Sequence, residues 1–397
     1  EVTGVGPTTV TAQNGIQVSH DATGSITGNT VSGCSYTGSG WAASGILPYL
    51  SGGTLDISNN ILSENQANIY LCACSADITG NTITASATGT GQTYFYGIIG
   101  DPGDPPIIPD ADPVDDGTPP LERTTYVFTC EDNVVTGDGN SGGVGIGVYA
   151  GMYGTYDIDF TAMYNDVYDW GVGFELYEYA PNELITADIH YNNIVGNDYG
   201  IYNWLTTVFD VSCNWYGDSS GPTHATNPSG TGDMITDYLY YCPWLDDAYP
   251  YGDCIGGAIC RNVDTNEYFC CIQCAVDDMD TLDGHTIEIF AGTHVEQVNI
   301  YKELTLYGQG QGVTTIQSPD TLTDYFTTSN NNYPIMYVNN VDNVVIEDLT
   351  VDGAGKGNAN YRFVGIGIYE AGATISNVEV IGVRDTPFSG AQHGVAI

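Results

Sequence analysis

Basic residues are nearly missing from this 397-residue chain: six Lys and Arg stand against 49 Asp and Glu, a formal charge of −43. A surface so poor in cations cannot neutralise phosphates, which excludes nucleic acid as a partner. It would also repel acidic polysaccharides unless cations bridged the charges. Calcium is the one candidate cofactor, because oxygen-rich acidic surfaces suit it. No run of 18 apolar residues occurs, so no transmembrane helix is expected. There is no starting Met and no signal peptide, and the sequence reads as a mature or excised segment. Zinc chemistry is absent too: Cys271 and Cys274 form a lone CxxC, and the His residues at 20, 190, 224, 285, 294 and 393 show no ligand spacing.

Gly (51), Tyr (30) and Cys (11) are abundant. Without metal motifs, so many cysteines point to disulfides in an oxidising compartment, hence to a secreted, extracellular or cell-surface protein. The disulfide candidates are Cys213, Cys242, Cys254, Cys260, Cys270, Cys271 and Cys274. The odd total leaves at least one thiol free or paired between chains.

One pattern recurs: an apolar residue, two spacers, Asn, one residue, an apolar residue. Its Asn residues are Asn29, Asn60, Asn81, Asn133, Asn165, Asn192 and Asn214. A second pattern, Gly followed by alternating apolar residues, interleaves with it, as in Gly145-Ile146-Gly147-Val148 and Gly173-Phe174-Glu175-Leu176. Short strands with one apolar face cannot bury that face alone. Coiling the chain stacks rung on rung, so that the inward faces make one continuous core. The Asn belongs at the turn between strands, where it tolerates left-handed backbone angles. Its amide can bond the Asn of the next rung, giving a structural ladder.

These repeats resemble the pectin-lyase-like superfamily, most of all bacterial and archaeal surface proteins with parallel β-helix repeats. The resemblance implies an all-β, right-handed parallel β-helix, a solenoid made of one C-terminal half-helix and one N-terminal half-helix joined by a Cys-rich linker. Residues 1–245 form the first half, with 214–245 resembling the segment that closes the last rungs and 101–122 an acidic, Pro-rich insertion. Residues 246–271 are the linker. Residues 272–397 resemble the start of a second β-helix, with a short capping helix over 271–280 and early strands at Thr286–Ile289, Val298–Ile300 and Leu304–Leu306. In that half Leu349 and Val378 stand where Asn stood earlier.

The order is unusual, because the first block has a closing segment without an opening cap and the second has the reverse. Glu1 and Val2 read as the tail of a rung, and Val395 and Ile397 as a strand of an unfinished one. Open cross-sections would expose backbone groups and core. The expected partner is therefore self, head to tail, either as repeats of a longer array or as stacked subunits.

Catalytic tools are scarce. Lyases of the resembled family use a basic residue and Ca2+ on clustered carboxylates. None of Arg123, Arg261, Lys302, Lys356, Arg362 and Arg384 sits beside an Asp cluster on a middle rung of 1–245. The hydrolase motifs Gly-His-Gly and Arg-Ile-Lys are missing. Asp56 and Asp77, each four residues before a ladder Asn, read as a solvated acidic face rather than an acid–base pair. No catalytic residue is assigned and no enzyme activity is expected. Candidate calcium ligands are Asp110, Asp112, Asp115 and Asp116 in the insertion, and Asp277, Asp278, Asp280 and Asp283 beside the cap, without EF-hand spacing. Trp41, Tyr94, Tyr96, Trp170, Tyr177, Tyr179, Trp204 and Trp215 invite a sugar-stacking reading, against which stands the use of aromatics in strands and interfaces. The expected function is an extracellular structural subunit or repeat of a β-helical filament, stalk or surface layer. The alternative is a polysaccharide-binding or polysaccharide-cleaving surface protein, distinguished by a cleft on a middle rung carrying paired carboxylates or stacked aromatics.

Overall fold

The computed structural model describes residues 1–38, 42–101, 125–150, 157–179, 185–388 and 391–397. Trp41 and the insertion beyond Asp101, with Asp110, Asp112, Asp115 and Asp116, lie outside these residues. The chain divides into two compact units, Glu1–Gly256 and Gly257–Ile397. The segment 246–271 is thus shared between them.

The first unit is built from three parallel sheets through which the chain passes in turn. Among the described residues the first sheet has seven strands, beginning Val2–Thr8, Thr30–Tyr36 and Ile61–Ser63 and ending at Asn193–Val195. The second has nine, including Asn14–Ser19, Ser44–Tyr49, Ala67–Cys72, Phe95–Asp101, Gly143–Ala150, Val172–Glu178 and Tyr199–Asn203. The third has eight, among them Ser25–Thr27, Thr54–Ser58, Ser75–Thr79, Thr125–Glu131, Asp157–Met163 and Ile185–His190. Apart from Pro222–Thr223, which pairs with Gly232–Ile235, each strand pairs with the strand three elements away in sequence, the arrangement of a parallel β-helix-like fold.

Period-two alternation makes the core. Ile57 pairs with Ile78 and Ile98 with Ile146, and all four are fully buried. Phe128 packs on Phe160 with ring centroids 4.5 Å apart and the planes tilted by 35°. The Gly pattern also has a packing cause. A Cβ on Gly97 would meet Gly145 O at 2.4 Å, and one on Gly145 would meet Gly173 O at 2.7 Å. These rungs leave no room for a side chain at that position of the second sheet, whereas Ala67–Cys72 carries Asn68 there.

The seven Asn residues form one continuous ladder. The main-chain N and Nδ2 of each donate to Oδ1 of the next, from Asn29 to Asn60 at 2.9 and 3.0 Å through to Asn192 and Asn214 at 2.9 and 3.0 Å. The ladder closes at Asn214, whose Nδ2 turns to the carbonyls of Ile189 and Val211. One detail corrects the expectation: the left-handed residue is the one before each ladder Asn. Gly28, Asn59, Gly80, Asp132, Tyr164, Tyr191 and Cys213 have φ between 54 and 68°. The ladder Asn is chosen for its amide, not for backbone freedom.

Within 214–245, Gly232–Ile235 and Leu239–Tyr240 add last parallel strands to the second and third sheets. Trp244 is buried nearby, its Nε1 donating to Ser219 O at 3.0 Å. The opposite end is uncovered. Val2 and Ile16 are only partly buried, whereas their register partners Val31 and Ile46 are fully buried.

In the second unit an antiparallel hairpin, Cys260–Asn262 with Glu267–Phe269, pairs with Thr286–Ile289, which continues in parallel to Thr305–Tyr307 and Val344–Asp352. The helix is Ile272–Asp277, shorter than expected, and the third early strand starts one residue later than expected. Leu349 and Val378 pair with each other and follow left-handed Asp348 and Asn377, so the corner is the same with an apolar pair replacing Asn. Again the last rung is less covered: Ile346 and Leu349 are fully buried, while their partners Ile375 and Val378 are partly exposed.

Cys213 bonds Cys254 and Cys271 bonds Cys274, while Cys242 and Cys270 are also disulfide-bonded. Cys260, expected among them, is a fully buried thiol packed in the second core, and burial pushes its pKa up.

Candidate functional site: an aromatic groove on the second sheet

The outward face of the second sheet carries a groove of 620 Å³ crossing Phe95–Asp101, Gly143–Ala150, Val172–Glu178 and Tyr199–Asn203. Four rungs at the inter-strand spacing span about 14 Å. Alternation places it. Ile98, Ile146, Phe174 and Ile201 point inward in one register column, and the adjoining column, Gly147, Glu175 and Tyr202, points outward.

Glu175 is part of the lining. Its Oε1 accepts from Trp204 Nε1 at 2.9 Å, and its Oε2 accepts from the Tyr149 hydroxyl. Gly147 makes this possible, because a Cβ there would lie 2.5 Å from the Tyr149 ring. Around this carboxylate the rings form a connected wall. Tyr149 contacts Tyr96 edge-on at 6.2 Å, Tyr177 meets Trp204 at 6.0 Å and Tyr179 at 4.9 Å, and Tyr202 packs on Trp204 at 4.5 Å. Burial and the Glu175 charge hold the Tyr149 hydroxyl protonated well above the usual tyrosine range, and push Tyr96 to about 12. Tyr149 is thus a fixed donor. Tyr94 and Trp204 remain 68% and 54% exposed, large apolar faces open to a ligand.

Of the aromatics singled out by sequence, Tyr94, Tyr96, Tyr177, Tyr179 and Trp204 converge here. Trp170 does not: it is a core residue whose Nε1 donates to Val135 O at 3.0 Å. Trp215 bridges Asn193 at the end of the first sheet. Tyr149, Tyr199, Tyr202, Glu175 and Asp198 also line the groove and escaped the sequence reading. The outward position of Glu175 within Gly-Phe-Glu-Leu was the available signal.

The other candidates resolve differently. Asp56 and Asp77 are register partners on the third sheet, both exposed, with Thr129 Oγ1 donating to Asp77 at 2.8 Å. Asp188, His190 and Ser212 come together, but His190 Nδ1 faces the Ser212 carbonyl at 2.7 Å and the hydroxyl at only 3.5 Å. A ring nitrogen that donates to a carbonyl cannot serve as base for that serine. Near the helix, carboxylate oxygens of Asp278, Asp280 and Glu267 lie within 4.8 Å of one another. Asp277 instead accepts from Gln273 and Tyr301, and Asp283 from the main-chain N of Glu303. At one oxygen each, Asp278, Asp280 and Glu267 give three of the six to eight oxygen ligands that calcium takes. Among the end residues, Val395 and Ile397 are 41% and 98% exposed, and Glu1 is exposed beside partly buried Val2. Comparison with family models, curated proteins and solved structures gives no match.

Proposed function

We propose that the chain is a surface β-helix that binds carbohydrate in the groove of its second sheet. The supporting observation is a wall of six or more tyrosine and tryptophan rings around one hydrogen-bonded carboxylate, on middle rungs of a rigid sheet. Ring faces stack on the apolar faces of sugars, and fixed polar groups orient their hydroxyls. Binding needs only these groups, and Asp198, a second carboxylate of the lining, leaves cleavage as the alternative that product analysis of the bound oligosaccharides tests. A glycan array probed with the full chain tests the reading. Binding to a subset of oligosaccharides, lost in Trp204→Ala, is expected; an array without signal refutes it.

A second reading rests on the uncovered cores. The strand edges and half-buried apolar residues at Val2, Ile16, Val378 and Val395 favour continuation of both right-handed solenoids onto further rungs, within a longer array or from another copy. Disulfides and the acidic surface suit an extracellular filament, stalk or surface layer. Electron microscopy of native material reads this directly: uniform filaments support it, dispersed particles of single-chain mass refute it.

A further inference from the structure

We propose that the groove selects sugars bearing a free amine, a hexosamine chain rather than a neutral or uronic-acid glycan. The proposal rests on the carbohydrate reading above and sharpens it. Neutral sugars need only ring faces and hydroxyl partners. This groove adds a carboxylate that its own wall holds in place: Trp204 Nε1 and Tyr149 Oη each occupy one oxygen of Glu175. A carboxylate has about four acceptor directions, so acceptor capacity remains on both oxygens. The group is oriented before a ligand arrives, so binding costs little reorganisation.

The rings act in the same direction. An ammonium group over the face of Tyr or Trp is attracted by the ring quadrupole, more strongly where water is thin. Tyr177 and Tyr202 each stand within ring-contact distance of Trp204, which bonds Glu175. Asp198 adds a second carboxylate to the lining, and among the described residues no Lys, Arg or His is part of it. An acidic sugar would face like charge without a counter-ion, and the chain's overall −43 reinforces that exclusion at range. Ring faces, a clasped carboxylate and a described lining without cations together fit a sugar that brings its own positive charge.

Calorimetry of the full chain with three short oligosaccharides tests this: a glucosamine oligomer, its fully N-acetylated counterpart and an oligogalacturonate, below the pKa of the free amine. We expect the glucosamine oligomer to bind about 10-fold or more tighter than the acetylated one, a difference of one charge-assisted contact, and the uronate not to bind. A chain of this charge attracts any polycation, so site specificity is read from variants. Glu175→Gln should bring the amine and acetyl forms to similar affinity, and Trp204→Ala should weaken both. Equal wild-type affinities for the amine and acetyl oligomers overturn the amine preference and leave the carbohydrate groove standing. An amine preference unchanged in Glu175→Gln also overturns it. Failure of all three oligosaccharides to bind overturns the carbohydrate reading itself, and this proposal with it.

Discussion

Asn133 sits in the middle of the ladder, and its removal should be far more damaging than removal of Asn29 at the open end. Asn133 Oδ1 accepts from both N and Nδ2 of Asn81 at 2.9 Å, and its own Nδ2 donates to Ile78 O at 2.8 Å and to Asn165 Oδ1 at 2.9 Å. Asn133→Ala leaves two donors of Asn81 and the Ile78 carbonyl without these partners, all in the buried corner. Each buried unpaired group costs about 1–3 kcal/mol, so the variant should lose about 3–9 kcal/mol. That is a large share of the roughly 5–15 kcal/mol that stabilises a typical domain. Asn29 gives its Nδ2 to Thr27 O and Asn60 Oδ1, and among the described residues no donor reaches its Oδ1. Its main-chain N keeps the bond to Asn60 in the alanine variant. Asn29→Ala should therefore cost about 1 kcal/mol. Urea denaturation followed by circular dichroism measures both. A difference within about 1 kcal/mol between the two variants would refute the claim that amide satisfaction along the ladder holds the corner.

Opening the Cys213–Cys254 bond by a double Ser substitution releases a 41-residue separation, and chain entropy predicts a loss of about 4 kcal/mol, read from the same urea midpoint under non-reducing conditions. Gly145→Ala would place a Cβ 2.7 Å from Gly173 O and 2.8 Å from Val167 Cγ1, so an overpacking cost of about 1–3 kcal/mol is expected and a neutral variant would contradict the close approach. Burial pushes Asp233 up to about 6 despite its bonds from Gly196 and Asn197. A raised acid favours the folded state when protonated, so its contribution is fully present below about pH 4 and is lost as pH rises through about 6. The loss should be about 3 kcal/mol at most, and less after allowance for solvent screening at this half-buried group. Asp233→Asn should flatten that part of the stability profile, and a carboxyl titration midpoint near 4 would exclude the shift.

The strand repeat was legible because each rung writes its own corner. An apolar residue, a ladder Asn and a second apolar residue lie within six positions, and local alternation decides which side chains face inward. The ladder followed from the same spacing, since every rung repeats the same donor and acceptor. The left-handed residue was misplaced because Asn, Asp, Gly, Tyr and Cys all fill it, so composition carried no signal for it. Cys260 was placed among the disulfides by count alone. Only packing decides which sulfur lies within reach of another, and this one is enclosed by the second core. The Asp cluster beside the helix was visible as a run, but hydrogen bonds to Tyr301 and Glu303 drew two of its members elsewhere, while Glu267 joined from a hairpin.

The groove belongs wholly to the tertiary level. Its walls run from Tyr94 to Trp204, more than a hundred residues apart, and meet only because successive rungs stack in register. In sequence Tyr149 and Glu175 are two residues in different strands. The missing side chain at Gly147 lets the Tyr149 ring lie across the sheet and reach Glu175 on the next rung. Sequence alone determined the sheet architecture, because strand alternation is a property of neighbours along the chain. Which outward-facing residues become one surface was decided by the register between rungs, a property of neighbours across it.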